Sequence, residues 1–173
     1  MKPKIFRLLK NYKNARQSWE SWCFMVNFNL EIPNPETRHR IDINPLLFHL
    51  RYLAMKDYYI EAYKVLKDSK NNQDNIFLLL GDLANRGPAM KIKAEHHINE
   101  LQKHNEIITR ICNLRDKFYA HLDSDYENYI DSISVGDILK CFVAIESALI
   151  TLSSEEILKQ HLDTIVSRNE MQL

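Results

Sequence analysis

The sequence predicts an all-α fold, an up-and-down four-helix bundle with one or two extra short helices, in a single domain spanning residues 1–173. Three glycines and five prolines in 173 residues are too few for the many turns that an all-β protein needs. Apolar residues recur at intervals of three and four along most of the chain, which is the period of one helix face. A chain of this length can bury one hydrophobic core.

The first predicted helix covers residues 5–28, where the apolar side chains follow helical spacing. Pro33 and Pro35 end it, because each proline disfavours helix in the residue that precedes it. We therefore expect a loop from this point through about Asp42.

Two further helices follow in the first half of the chain. Asn44-Pro45 indicates an N-cap residue followed by proline at the first helical position, and the helix that begins there is expected to reach about Asp68. A shorter apolar helix is predicted over residues 74–85. The Gly-Pro pair that follows Arg86 can end this helix and begin the next.

The longest predicted element is a continuous helix over residues 89–120, which contain neither glycine nor proline. At about 1.5 Å per residue it would form a rod of about 45 Å. An acidic connection over residues 123–131 separates it from the next helix.

Two more helices are predicted at the C-terminal end of the chain. Ser134, with Asp137 three residues later, forms a variant capping box for a helix that is expected to reach about Leu152. Ser153 or Ser154 is expected to begin a last helix that ends near residue 166.

Composition limits the compartment and the kinds of partner. The formal net charge is zero, although the first 16 residues hold six basic side chains and no acid, which indicates either a solvated first helix or a phosphate-binding arm. No apolar run is long enough to span a membrane, so we expect no membrane partner and a cytoplasmic location. The three widely spaced cysteines are expected to be reduced, mostly buried thiols.

The most chemically distinctive feature is the segment RDKFYAH, residues 115–121. Helical spacing places Arg115 in the middle of an apolar face and His121 at the polar end of an overlapping one, with Phe118 between them. On a regular α-helix the two polar side chains would be about 120° apart around the axis and about 9 Å apart along it. A buried arginine needs an anionic partner or a wet cleft.

An arginine, five residues and a histidine near the end of a long helix in a small helical protein resemble the Rx4-6H signature of the HEPN superfamily (higher eukaryotes and prokaryotes nucleotide-binding). The string RDKFYAHLD is similar to the abortive-infection, AbiU-type branch. This resemblance implies a metal-independent endoribonuclease without a cofactor. It also implies a homodimer in which two signature segments share one cleft, and a role as a toxin or antiphage effector with a possible antitoxin partner. The superfamily includes catalytically inactive members that bind a nucleotide or a partner protein.

The residue types suit this chemistry. Cleaving RNA without a metal needs a base for the 2′-OH proton, an acid for the leaving 5′-oxygen, and positive charge beside the phosphate. His121 can act as base or acid at neutral pH, and Arg115 presents a planar, permanently charged fork. Asp116 matches the polar residue common at this position of the family, and we assign it a supporting, orienting role. One copy of the segment makes a poor site, whereas two copies related by a two-fold axis supply both histidines.

The sequence is also compatible with a purely structural role for Arg115 and His121. Arg115 can form an ion pair with Asp116, Asp123 or an acid on another helix, and His121 can sit favourably at a helix C-terminus. Some family members carry a modifiable tyrosine two residues after the histidine. Asp123 occupies that position here, and the acidic residues that follow would repel RNA.

Two other groups of residues have functional interpretations. One is a possible divalent-metal site on a helical face, although a solvated polar face explains the same pattern. The other is an aromatic set that could stack bases, although aromatic residues on amphipathic helices usually form core. The first comprises His97, Glu100 and His104; the second comprises Trp19, Trp22, Tyr58, Tyr59 and Tyr63.

Overall fold

The computed structural model describes residues 2–27, 34–69, 72, 74–119 and 134–170. Within these ranges the chain is all-helical and contains no strand, so the predicted all-α class is confirmed. None of the helices in the described part of the chain combines the length and the apolar character needed to cross a membrane. The α-helices are α1 (Lys2–Asn27), α2 (Pro35–Asp42), α3 (Pro45–Leu66), α4 (Ile76–Ala84), α5 (Pro88–Gln102), α6 (Asn105–Asn113) and α7 (Val135–Glu170), and a π-helical segment (Leu114–Tyr119) follows α6.

Asparagine-proline pairs begin two of the helices. At α3 the side-chain oxygen of Asn44 accepts hydrogen bonds from the backbone N–H groups of Leu46 and Leu47, at 3.0 and 3.2 Å, as predicted. The loop expected through Asp42 is wrong, because Asn34 caps α2 with Pro35 in its first turn. The same signal operates at both sites, since proline at the first helical position gives up no hydrogen bond.

The predicted continuous rod over residues 89–120 is also wrong. Helix α5 ends at Gln102, and a turn at Lys103 and His104 separates it from α6; the backbone N–H of His104 donates to the Leu101 carbonyl at 3.0 Å. The break falls in a stretch of consecutive polar residues that offers no apolar side chain to hold a helical turn against the core.

Helix α7 begins as predicted and then continues further. The Ser134 hydroxyl accepts from the Asp137 backbone N–H at 3.1 Å, which confirms Ser134 as the N-cap residue. The hydroxyl also donates to the Asp137 carboxylate at 2.8 Å, whereas in a capping box that carboxylate accepts from the backbone N–H of the capping residue. The new helix expected at Ser153 or Ser154 is wrong, because α7 runs through both serines to Glu170. Serine costs a helix interior only a few tenths of a kcal/mol, so it does not end a helix that is packed on its neighbours.

The chain divides into two compact units. The first comprises Met1–Leu9, Leu66–Ile108 and Ser132–Leu173, and the second comprises Lys10–Val65 and Thr109–Asp131. In the first unit α4 packs against α5 and α7. Its core is aliphatic and includes Leu8, Ile76, Leu79, Leu80, Leu83, Leu101, Ile138 and Leu152, each at most 1% exposed.

Some of the basic side chains near the N-terminus form ion pairs with acidic residues. In the first unit Arg7 makes two hydrogen bonds to the carboxylate of Asp74, the Nη2–Oδ1 distance being 3.0 Å. Lys4 lies 3.8 Å from a carboxylate oxygen of Asp82. Both cations therefore have structural partners, which favours the solvated-helix interpretation over a phosphate-binding arm.

In the second unit α1 and α3 pack in antiparallel directions. Arg51 donates two hydrogen bonds to the carbonyl oxygen of Met25, at 3.0 and 3.2 Å, while further along α3 the ring of Tyr58 lies 5.3 Å from that of Trp19. Trp19, Tyr58 and Tyr59 are each at most 5% exposed. These aromatic residues form core, as the structural interpretation of the set expected.

Candidate functional site

The predicted catalytic segment begins in a π-helix. Residues Leu114–Tyr119 continue directly from α6 with π-helical hydrogen bonding, so the regular α-helix assumed for the spacing of Arg115 and His121 is wrong over this stretch. A π-helical turn closes over five residues instead of four and is found preferentially at functional sites.

Arg115 is partly exposed beside two buried side chains. Ile111 is 1% exposed, and Leu114, three residues later, is also buried, as their spacing on one helical face predicts. The Arg115 side chain keeps 32% of its surface exposed, so its charge stays in contact with solvent.

Two contacts hold the Arg115 guanidinium. Its Nη1 donates a hydrogen bond to Oδ1 of Asp116 at 2.8 Å, and its Cζ lies 4.3 Å from the centre of the Tyr63 ring on α3. The first contact is one of the ion pairs that the structural alternative named. The second is a cation–π interaction, which orients the plane of the guanidinium over the aromatic face.

The other half of the predicted site, His121, lies outside the described residues, as does the acidic stretch over residues 123–131. The structure therefore brings together Arg115, Asp116 and Tyr63. Sequence reasoning placed Tyr63 only in the aromatic set, because nothing local to residue 63 indicates a partner on a distant helix.

The predicted metal-ligating face is divided between two surroundings. His97 is buried, and its Nε2 lies 2.8 Å from the Thr151 hydroxyl on α7; burial, followed by the neighbouring His96, lowers the pKa of His97. Glu100 and His104 instead line a cavity together with His96. Among the described residues, no group of three histidine, cysteine, aspartate or glutamate side chains is arranged to hold a metal ion.

His96 is the residue of this region that the sequence reasoning missed. It lies four residues before Glu100, which in turn lies four residues before His104. That spacing predicts a shared helical face as strongly as the spacing that begins at His97.

Arg115 is the group in this site best suited to an anionic ligand. A guanidinium offers five N–H donors, and the hydrogen bond to Asp116, the one that Arg115 makes within the described residues, leaves a charged edge on the exposed part of the side chain. No protein-family model, curated protein or solved structure matches the chain. The functional interpretation therefore depends on the residues of the segment and on their geometry.

Proposed function

We propose that the chain is a metal-independent endoribonuclease of the HEPN type and that Arg115 and His121 form its active site. The observation that carries this proposal is a partly exposed, oriented arginine in a π-helical segment, six positions before the histidine of the signature. The proposal also draws on the all-helical fold.

The proposed reaction is an attack by the 2′-oxygen of a ribose on the adjacent phosphorus. One His121 removes the 2′-OH proton, and a second His121 gives a proton to the departing 5′-oxygen, which leaves a 2′,3′-cyclic phosphate and a free 5′-OH. Arg115 donates to the non-bridging phosphate oxygens as charge accumulates on them.

The need for both a base and an acid supports a homodimer with a composite cleft. Two copies related by a two-fold axis supply two imidazoles and two guanidiniums to one phosphate. In this proposal Asp116 and Tyr63 are positioning residues that hold the guanidinium in each copy. The biological role that we propose is that of a toxin or abortive-infection effector, with RNA as substrate and an antitoxin as a further partner.

A second candidate function is a catalytically inactive HEPN module that binds a nucleotide or a partner protein through the same cleft. The observation that favours it is the engagement of Arg115 by Asp116 and Tyr63 within its own subunit. Such a guanidinium can bind an anion through its remaining donors without taking part in a reaction.

Incubation of the purified chain with a defined RNA in the presence of a chelator tests the proposal. We expect fragments with 2′,3′-cyclic phosphate and 5′-OH ends, and we expect His121→Ala and Arg115→Ala to lower the cleavage rate by about 100-fold or more. RNA that binds without being cleaved would favour the second candidate. Fragments with 5′-phosphate ends would contradict both candidates.

Matched substitutions control for general damage and for contaminating nucleases. Arg110→Ala removes an exposed arginine from α6, and His49→Ala removes an exposed histidine from α3. Both variants are expected to cleave RNA at the rate of the unaltered protein. Equal loss of activity in Arg110→Ala and Arg115→Ala would indicate a general charge effect instead of a site.

A further inference from the structure

Helix α7 carries apolar side chains on two opposite sides. One side faces the core of the first unit and includes Ile138, Ile145 and Leu152, each at most 3% exposed. On the other side a row of aliphatic side chains, which we call the α7 ridge, is exposed to solvent by at least 43% at each position; it comprises Val135, Leu139, Val143, Ile150 and Ile157. A helix on the surface of a monomer needs only one apolar side, so the ridge indicates a second contact.

The spacing of the ridge is typical of helices that pair with a copy of themselves. Val143, Ile150 and Ile157 are seven residues apart and so share one heptad position. β-Branched side chains at the a position are typical of two-stranded parallel coiled coils. The d positions of the same heptads hold Glu146 and Ser153, so the ridge needs a further apolar contribution beside it.

Helix α5, which packs against α7, extends the exposed face. Between the two helices lies an open depression, the α5–α7 groove, lined by His96 and Glu100 of α5 and by Val143 and Ser147 of α7. Ile92 lies four residues before His96, on the same side of α5, and is also exposed. A ridge and a groove therefore lie side by side on one face of the first unit.

We infer that this face, the α7 ridge together with the α5–α7 groove, is the interface between two copies of the chain. A two-fold axis parallel to α7 sets the ridge of each copy into the groove of the other, which is the reciprocal fit that an isologous contact requires. The two α7 helices then run parallel and in register. Val143 lies beside its own counterpart, and so does Ile150.

The size of the face agrees with a specific dimer. By the helical rise the ridge is about 33 Å long from Val135 to Ile157, and the 15 residues of α5 span about 22 Å. With a width of about 10 Å for each helix, each copy contributes about 550 Å² and the pair about 1,100 Å². A specific interface needs more than about 1,000 Å² in total, so both helices are required, and the ridge alone would bury too little.

This interface is independent of the proposed ribonuclease activity, because it uses none of the residues of the 115–121 segment. Two copies can pair through α5 and α7 whether or not they cleave RNA. A chain that dimerises through this face and leaves RNA intact would retain the interface and contradict only the ribonuclease.

Molecular mass in solution, measured by sedimentation over a dilution series of the full chain, tests the inference. We expect the unaltered chain to be a dimer at micromolar concentration. Ile150→Glu is expected to weaken the dimer by about 100-fold or more, because it places a charge without a partner inside the interface. Ile92→Glu is expected to weaken it as well, since Ile92 contributes the α5 side of the face.

Phe48→Glu is the matched control. Phe48 lies on α3 in the second unit and is 68% exposed, as is Ile150. We expect this variant to dimerise as the unaltered chain does, and we expect the circular dichroism of all three variants to stay helical, because each substitution is at an exposed position. A chain that is monomeric at every micromolar concentration would overturn the inference, as would a dimer that Phe48→Glu dissociates and Ile150→Glu leaves intact.

Disulfide crosslinking tests the parallel register without relying on a loss of association. In a Cys23→Ser background, Val143→Cys and Ile150→Cys, each introduced alone, are expected to give covalent dimers on mild oxidation, since each new thiol lies beside its own counterpart. Phe48→Cys is expected to give none. Failure of both single variants to crosslink in a sample that is dimeric by mass would overturn the parallel pairing of α7.

Discussion

The guanidinium of Arg115 lies over the ring of Tyr63, with 4.3 Å between Cζ and the ring centre. This contact joins the π-helical segment to α3 and sets the plane of the arginine, while Asp116 fixes one of its donors. A guanidinium held in this way loses little conformational freedom on meeting a phosphate, which is the advantage of a preorganised site.

The Tyr63–Arg115 contact should appear as an energetic coupling. In a double-mutant cycle that combines Tyr63→Leu with Arg115→Met, we expect the two losses of unfolding free energy to differ from additivity by about 0.5–1 kcal/mol, because either substitution alone removes the cation–π interaction. Denaturant unfolding measures this. Tyr63→Phe keeps the aromatic face and should retain the coupling. If the losses of unfolding free energy caused by Tyr63→Leu and Arg115→Met are strictly additive, the contact is contradicted.

Replacing Gly87 with alanine should destabilise the fold, whereas the same replacement at Gly81 should not. Gly87 has φ 141° and ψ 172°, a backbone conformation that is essentially limited to glycine, at the start of α5. Gly87→Ala is therefore expected to lower the unfolding free energy by about 1–3 kcal/mol.

Gly81 provides the matched control for that substitution. It lies within α4, and a Cβ added there meets no atom within 4 Å. Gly81→Ala should raise the unfolding free energy by about 0.5–1 kcal/mol, because alanine has the higher helix propensity. Equal effects of the two substitutions would show that the turn before α5 has a different conformation.

The Arg7–Asp74 pair should make stability depend on acid pH. The hydrogen bond from Arg7 lowers the pKa of Asp74 below its ordinary value of 3.8 in the folded chain. The stabilisation is present above the pKa of the unfolded chain and is lost as pH falls through the folded value. Unfolding of the unaltered protein and of Asp74→Asn, compared from pH 7 to pH 2, should show a difference that disappears at the acid end. A difference that is constant over this range would exclude the linkage.

The three cysteines should differ in reactivity. Burial raises the pKa of Cys141 to about 12, and Cys112 is also buried, whereas Cys23 is half-buried. Because the thiolate is the reactive species, an aromatic disulfide reagent at pH 8 should modify Cys23 first and the others only on unfolding. Cys23→Ser should abolish the first phase. Three equal rates in the folded protein would contradict the burial of Cys112 and Cys141.

The helix beginnings that depend on local capping were predictable from the sequence. Asn44 and Ser134 carry their own hydrogen-bonding side chains, so α3 and α7 begin where the sequence indicates. The same reasoning applied to Asn34 would have found α2, whose signal was outweighed by the expectation that two nearby prolines form a loop.

The points at which helices end or continue within the chain were harder to predict from the sequence, because they depend on packing. Leu101 and Ile108 are seven residues apart, which fits one helical face, so a continuous helix remained compatible with the spacing although the five residues after Leu101 are polar. Conversely, α7 continues past its two serines where Glu156 and Arg86 form an ion pair. Ion pairs between residues far apart in the chain cannot be predicted from the local sequence.

In the candidate site, too, the local features were predictable from the sequence and those that depend on packing were not. The residue types and spacing of the 115–121 segment suggested its chemistry, but a regular helix was the only geometry that local reasoning could supply. The position of Tyr63 beside Arg115 depends on how α3 and the segment pack together. The Arg115–Asp116 pair, in contrast, joins neighbouring residues and was predictable from the sequence.

Cleavage activity per chain, measured together with molecular mass over a dilution series, is the most direct test of a composite Arg115–His121 site. We expect RNA cleavage per chain in chelator to fall on dilution in parallel with the fraction of dimer, since each phosphate needs both copies. A chain that stays monomeric at every concentration and cleaves RNA with constant activity would contradict the shared site, and a dimer that never cleaves RNA would contradict the ribonuclease itself.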